Sequence, residues 1–237
     1  MSISETMSAQ KISVPSFMVI AGEALTPLEL ARLTLALPSL SRQQRGNGEP
    51  VIVLPGLGAS NVSTIVLRQY LSWLGYQVHG WTLGRNDGNV SAMLPLVAKQ
   101  LEQFHASSKA KVSIVGWSLG GVLAREVARD YPSAVSQVIT MGSPIVGGPK
   151  YTTFGKFYAR GDVDLDAIEV RIAQREQRPI RVPLTSIYSK RDGVVAWQAS
   201  IDKLNHNADN IEVKATHLGM GISPDVFKII ARKLASK

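Results

Sequence analysis

The chain has 237 residues, 45% hydrophobic and 19% charged, a balance that supports one folded core and excludes an intrinsically disordered chain. It contains no cysteine, which removes disulfide frameworks, thiolate metal sites and a cysteine nucleophile together. A formal net charge of +8 invites an anionic partner, but between 150 and 191 nine Lys and Arg are interleaved with five Asp and Glu, and no aromatic ladder accompanies them; this predicts a solvated basic face and no nucleic-acid partner.

At the amino end a single basic residue, Lys11, precedes a short apolar stretch from Val14 to Ala21 that Pro15 and Ser16 interrupt. It has neither the n-region nor the h-region of a signal peptide, and no window reaches the ~18 apolar residues of a membrane span, so a cytoplasmic chain without stable membrane insertion is expected. Thr26-Pro27-Leu28-Glu29 has the spacing of a capping box and predicts a short helix to about Leu37, leucine-rich on more than one face and buried against the domain. Residues 1–49 read as an N-terminal extension that ends in an exposed connection over 39–49.

From residue 50 the pattern alternates between short β-rich runs and longer helical stretches. Strands are predicted at 51–54, 76–80, 111–115, 137–141, 183–188 and 211–215, and helices at 63–74, 90–105, 119–130 and 225–235. The fold class is therefore α/β: an open, mostly parallel, doubly wound sheet of about six strands flanked by helices. Residues of about 146–182 are too many for an ordinary connection, and 164–177 have helical composition, so a small cap is expected to interrupt the 50–237 core. Ser223 is placed to cap the last helix, with Pro224 and Asp225 in its first turn and Lys228, Arg232, Lys233 and Lys237 toward its far end.

Chemistry enters at Gly116-Trp117-Ser118-Leu119-Gly120. A Gly-x-Ser-x-Gly pattern alone arises by chance in glycine-rich loops. Here it joins a predicted strand directly to a predicted helix, where a strained turn would lift the serine hydroxyl to the sheet edge beside exposed helix N–H groups. Upstream, the apolar run from Val51 to Leu54 enters Pro55-Gly56-Leu57-Gly58. Gly56-x-Gly58 also opens a dinucleotide fingerprint, but Asn61 occupies the third glycine position and the next strand carries no acidic residue for a ribose.

From about residue 50 onward, the elbow and its surroundings make the chain similar to the α/β-hydrolase superfamily, in particular its lipase, esterase and thioesterase members. The resemblance implies Ser118 as nucleophile and backbone N–H groups of Leu57 and Leu119 as an oxyanion hole, although many members have His-Gly where this chain has Pro55-Gly56. It implies the order serine, acid, histidine. His217, between the last strand and the last helix, stands where the family places its base; His206 reads as a loop residue, and His79 and His105 as structural. Asp192, in the turn after strand 183–188, matches the acid, with Asp202 and Asp209 as alternatives and Asp87 in the wrong order. Gly142-Ser143-Pro144 resembles a lipase segment leading into the cap, where Phe154, Phe157 and Tyr158 are candidates to line an acyl pocket. The activity implied is hydrolysis of a small-molecule carboxylic ester, lipid-like esters included, through an acyl-serine and without cofactor or metal. Acyl transfer or thioester hydrolysis by the same triad, and a non-catalytic binding protein, are the competing readings.

Overall fold

The computed structural model describes residues 12–155 and 163–236. Six strands form one sheet: β1 (Pro50–Leu54), β2 (Gln77–His79), β3 (Val112–Trp117), β4 (Val135–Met141), β5 (Leu184–Ser189) and β6 (Ala208–Val213). The spatial order is β2-β1-β3-β4-β5-β6, and every ladder is parallel. The helices are α1 (Phe17–Ala21), α2 (Thr26–Leu40), α3 (Ile65–Trp73), α4 (Val90–Ser108), α5 (Leu119–Asp130), α6 (Leu165–Glu176) and α7 (Pro224–Ala235).

β1 is apolar without interruption because both of its faces are covered. Val51 and Val53 point into a core built with Leu33 and Leu40 of α2, Leu67 and Leu71 of α3, and Phe227 and Ile230 of α7. Ile52 and Leu54 point the other way, against Val97 and Leu101 of α4 and Leu123 and Val127 of α5. Alternation of side chains along the strand thus feeds two cores from one sheet. The chain runs from β1 outward to β2 and then returns to place β3 on β1's other side. Winding direction reverses between β1 and β3, and a crevice outside the carboxyl ends of these strands is where open α/β sheets bind ligands.

The expected strands all form, with ends moved by up to three residues. Two helix-start expectations fail. Thr26 and Glu29 make no capping box: Thr26 Oγ1 bonds Thr216 Oγ1 at 2.8 Å, and Glu29 Oε1 accepts from Arg32 at 2.6 Å. Tertiary partners outcompete the local cap because the chain already enters α2 in helical conformation, from a 3₁₀ turn over Gly22–Leu25. α2 also continues past Leu37 and through Pro38 to Leu40, whose side chain is buried in the core. Only one face of α2 is buried; Leu28, Leu30, Leu35 and Leu37 are exposed. At α7, Ser223 occupies the N-cap position with Pro224 behind it, but the hydroxyl makes no cap bond and is buried without a partner. Among the described residues no helix is long and apolar enough to cross a membrane.

Candidate active site

At the carboxyl end of β3 the chain turns into α5 through Ser118, which adopts φ 55° and ψ −123°. Besides Lys109 it is the one non-glycine residue with positive φ among those described, a conformation that costs about 1–3 kcal/mol and persists only where the surroundings enforce it. Close packing enforces it here. A Cβ on Gly116 would lie 2.4 Å from Gly121 Cα, and one on Gly120 would lie 2.4 Å from the Leu54 carbonyl. The Ser118 N–H donates to the Met141 carbonyl at 2.8 Å, tying the turn to β4. Its hydroxyl makes no hydrogen bond among the described residues and faces a cavity.

The loop after β1 runs alongside. A Cβ on Gly56 would stand 3.1 Å from Ser118 Cβ, so the glycine permits the approach. The loop's shape is held by Asn86, which is fully buried. Its side-chain amide donates to the Pro55 carbonyl at 3.0 Å, its N–H to Ala59 O at 2.9 Å, and its own carbonyl accepts from Gly58 N at 2.7 Å. Leu57 and Leu119 both line the cavity, and neither N–H donates to a protein acceptor among the described residues. Two unspent donors beside a free hydroxyl can stabilise negative charge developing on a substrate oxygen.

Asp192 follows β5, and its backbone turn is closed by its own side chain: Oδ1 accepts from Val194 N at 2.9 Å and Val195 N at 2.7 Å. Oδ2 accepts from His217 Nδ1 at 2.8 Å. Both residues are buried. A proton on Nδ1 leaves Nε2 as the acceptor, the tautomer a general base needs. Burial acts to lower the imidazole pKa, but the Asp192 carboxylate and, more weakly, Glu23 outweigh it and raise the pKa above its ordinary value. Gly142, at the end of β4 with φ +52°, makes room for this pair: a Cβ there would sit 2.8 Å from Asp192 Oδ2 and 3.0 Å from His217 Nδ1.

Ser118, His217, Leu57 and Leu119 thus meet at one cavity of about 810 Å³, within the usual range of small-molecule sites. Its walls are largely apolar, with Val122, Ile145, Phe154, Ile168 and Ile172 among them; Phe157 and Tyr158 lie outside the described residues. α6 forms one wall and is fastened to α5 by buried charges. Arg125 bonds Asp202 at 2.6 Å and Glu176 at 3.0 Å, and Arg129 bonds Glu176 at 2.6 Å. No group of three or more His, Asp or Glu able to hold a metal occurs among the described residues.

The other candidates are engaged elsewhere. Asp202 serves Arg125, Asp209 pairs with Lys233 at 2.6 Å, and Asp87 accepts from Asn89 N at 2.9 Å. His206 is exposed, His79 packs on the Phe104 ring, and His105 Nδ1 meets the Ala110 carbonyl. Sequence reasoning misses Asn86, because Arg85-Asn86-Asp87-Gly88 has the composition of a surface turn. It also misses Glu23, whose carboxylate reaches the His217 backbone; nothing local marks it.

Comparison with known proteins bears on the fold and the family. Residues 50–196 match the family model of palmitoyl protein thioesterase. Over 105 residues the chain is 30% identical to a pimeloyl-[acyl-carrier protein] methyl ester esterase of Aliivibrio fischeri, an alignment covering 44% of this chain and 40% of that protein. The chain therefore spans less than half the length of the curated relatives it matches. Among solved structures, a mature Bacillus licheniformis lipase superposes with a TM-score of 0.62 at 13% identity, over 81% of this chain and 94% of that one. Aspergillus fumigatus lipase B gives 0.59 at 18% identity, over 81% and 53%. These structural likenesses establish the α/β-hydrolase fold, and the match over residues 50–196 shows that the chain belongs to the palmitoyl protein thioesterase family.

Proposed function

We propose that this protein is a serine hydrolase that cleaves acyl ester bonds, oxygen esters or thioesters, through an acyl-serine intermediate. The observation that carries the reading is the 2.8 Å Asp192–His217 bond at the cavity into which the strained Ser118 turn projects its hydroxyl. His217 Nε2 takes the Ser118 proton as Oγ attacks the acyl carbon, and the Leu57 and Leu119 N–H groups receive the oxyanion. The bond from acyl carbon to the leaving oxygen or sulfur then breaks, and His217 returns the proton to the leaving group. Water, deprotonated by the same imidazole, releases the acid and restores Ser118. Asp192 holds the tautomer and stabilises the imidazolium without itself taking the proton.

The apolar walls suit an aliphatic acyl chain, and we assign the segment of about 146–182, with α6 at its centre, the role of a cap over that chain. Thioesters are included because of the family match and acyl-carrier esters because of the Aliivibrio relative. A fluorophosphonate probe labels Ser118 of the wild type and not of Ser118→Ala on this reading. A series of aryl esters and acyl thioesters of increasing chain length then ranks the substrates, and both Ser118→Ala and His217→Ala lose nearly all turnover of short p-nitrophenyl esters. An unlabelled wild type, or full activity in either variant, overturns the assignment.

A further inference from the structure

The loop bearing Asp192 and the loop bearing His217 follow different strands, β5 and β6, and the hydrogen bond between the two side chains spans the gap. One carboxylate fastens both loops. Glu23, in the 3₁₀ turn ahead of α2, accepts from Gly193 N at 2.8 Å and His217 N at 2.7 Å through Oε1, and from Leu218 N at 3.0 Å through Oε2. The His217 and Leu218 N–H groups open the turn over Leu218–Ile222, where no acceptor within the turn can reach them. Gly193 is matched to the contact, since a Cβ there would meet Glu23 Cγ at 2.8 Å and the Val19 carbonyl at 2.8 Å. The Thr26–Thr216 bond at 2.8 Å holds the same strap a few residues further on.

We infer that Glu23 is a positioning residue of the reaction, a clamp that fixes the backbones on either side of the Asp192–His217 bond and adds a second negative charge near the imidazole. The inference rests on the hydrolase reading above and adds to it a residue 27 positions before the family match begins at residue 50. Three charge-assisted bonds from one half-buried carboxylate are stronger than neutral ones and directional. They restrict the relative movement of the two loops, and misplacement of a catalytic group by about 1 Å can cost on the order of 10²-fold in rate. The charged groups that act on His217 are Asp192 and Glu23, with the Trp117 ring 6.2 Å away, centroid to centroid. Neutralising Glu23 therefore makes the imidazole easier to deprotonate while loosening its seat.

The test compares Glu23→Ala and Glu23→Gln with the wild type by three measurements: the second-order rate of fluorophosphonate labelling, kcat and KM on a short p-nitrophenyl ester, and the titration of His217 followed by NMR, its signal identified by loss in His217→Asn. Thermal melts set the temperature at which each variant is fully folded. Glu23→Ala is expected to lose about 10- to 10²-fold in labelling rate and kcat with KM within about twofold. Glu23→Gln should lose less and move the His217 midpoint to lower pH. If Glu23→Ala fails to fold, Glu23→Gln alone decides. Wild-type labelling and an unmoved midpoint in folded variants overturn the clamp, as does a loss that vanishes when the variants are assayed well below their melting temperatures. Labelling that depends on Ser118 but not on Glu23 sinks the clamp and leaves the hydrolase reading standing; a wild type that does not label sinks both.

Discussion

Gly142→Ala isolates the Asp192–His217 pair without touching either residue. The substitution costs stability in two ways. At φ +52° an L-residue pays about 1–2 kcal/mol of backbone strain. The new methyl must also be accommodated 2.8 Å from Asp192 Oδ2 and 3.0 Å from His217 Nδ1, where ordinary contact begins at 3.4 Å. One of the two groups has to retreat by about 0.6 Å, from 2.8 to 3.4 Å, which lengthens a 2.8 Å bond out of its favourable range. Gly48→Ala supplies the control: Gly48 has φ +84° and a methyl added there would meet nothing within 4 Å, so it carries strain alone. Gly48→Ala should lower Tm by roughly 2–8 °C, at about 2–4 °C per kcal/mol for a domain of this size, with kcat unchanged. Gly142→Ala should melt lower still and lose about 10- to 10²-fold in kcat and in fluorophosphonate labelling. Equal kinetics in the two variants, assayed where both are folded, would show that the pair does not govern reactivity.

The remaining predictions concern pH and support. Because the His217 pKa is raised and the base must be neutral, the acidic limb of kcat/KM should have its midpoint above the ordinary histidine value of ~6.5, and Asp192→Asn should move it down; a midpoint at or below ~6.5 in the wild type refutes the electrostatic account. The same shift contributes stability that is fully present below the unfolded-state pKa and is lost as pH rises through the folded-state value, which urea titrations at several pH values would read in comparison with His217→Gln. Asn86→Ala strands the buried Pro55 carbonyl and should cost about 1–3 kcal/mol by urea unfolding, with kcat falling more than KM rises. Glu176→Gln takes the charge from the carboxylate shared by Arg125 and Arg129, and should cost up to about 3 kcal/mol as the two buried guanidinium groups lose one of their partners while Arg125 keeps Asp202 and Arg129 keeps Glu126; a cost below ~1 kcal/mol would mean that α6 is held by something else.

What can be read from the chain alone is whatever chemistry is written locally. β1 is a continuous apolar run, β3 departs from one only at the buried Ser113, and the glycines flanking Ser118 lie two positions to either side of it, so strand, turn and helix are placed by neighbours within a dozen residues. The polar residues that support the site are not legible because their partners are remote. Thr26 and Glu29 have capping-box spacing, yet Thr26 spends its hydroxyl on Thr216, 190 positions away. Asn86 sits among turn formers and is nonetheless fully buried, holding a loop 31 positions upstream. Glu23 lies between the short apolar stretch ending at Ala21 and the helix expected from Thr26, where nothing local marks it, and its bonds reach 170 to 195 residues along the chain. The distinction has a physical origin. Hydrophobic periodicity reports how a segment meets any apolar surface, whereas a side-chain hydrogen bond is specific to one partner atom in a particular place. The sheet therefore explains why Ser118, Asp192 and His217 end on the same edge, since each follows a strand of known register. Tenths of an ångström between them are set by the glycines at 142 and 193, which admit close contact, and by Asn86 and Glu23, which hold the loops once they arrive.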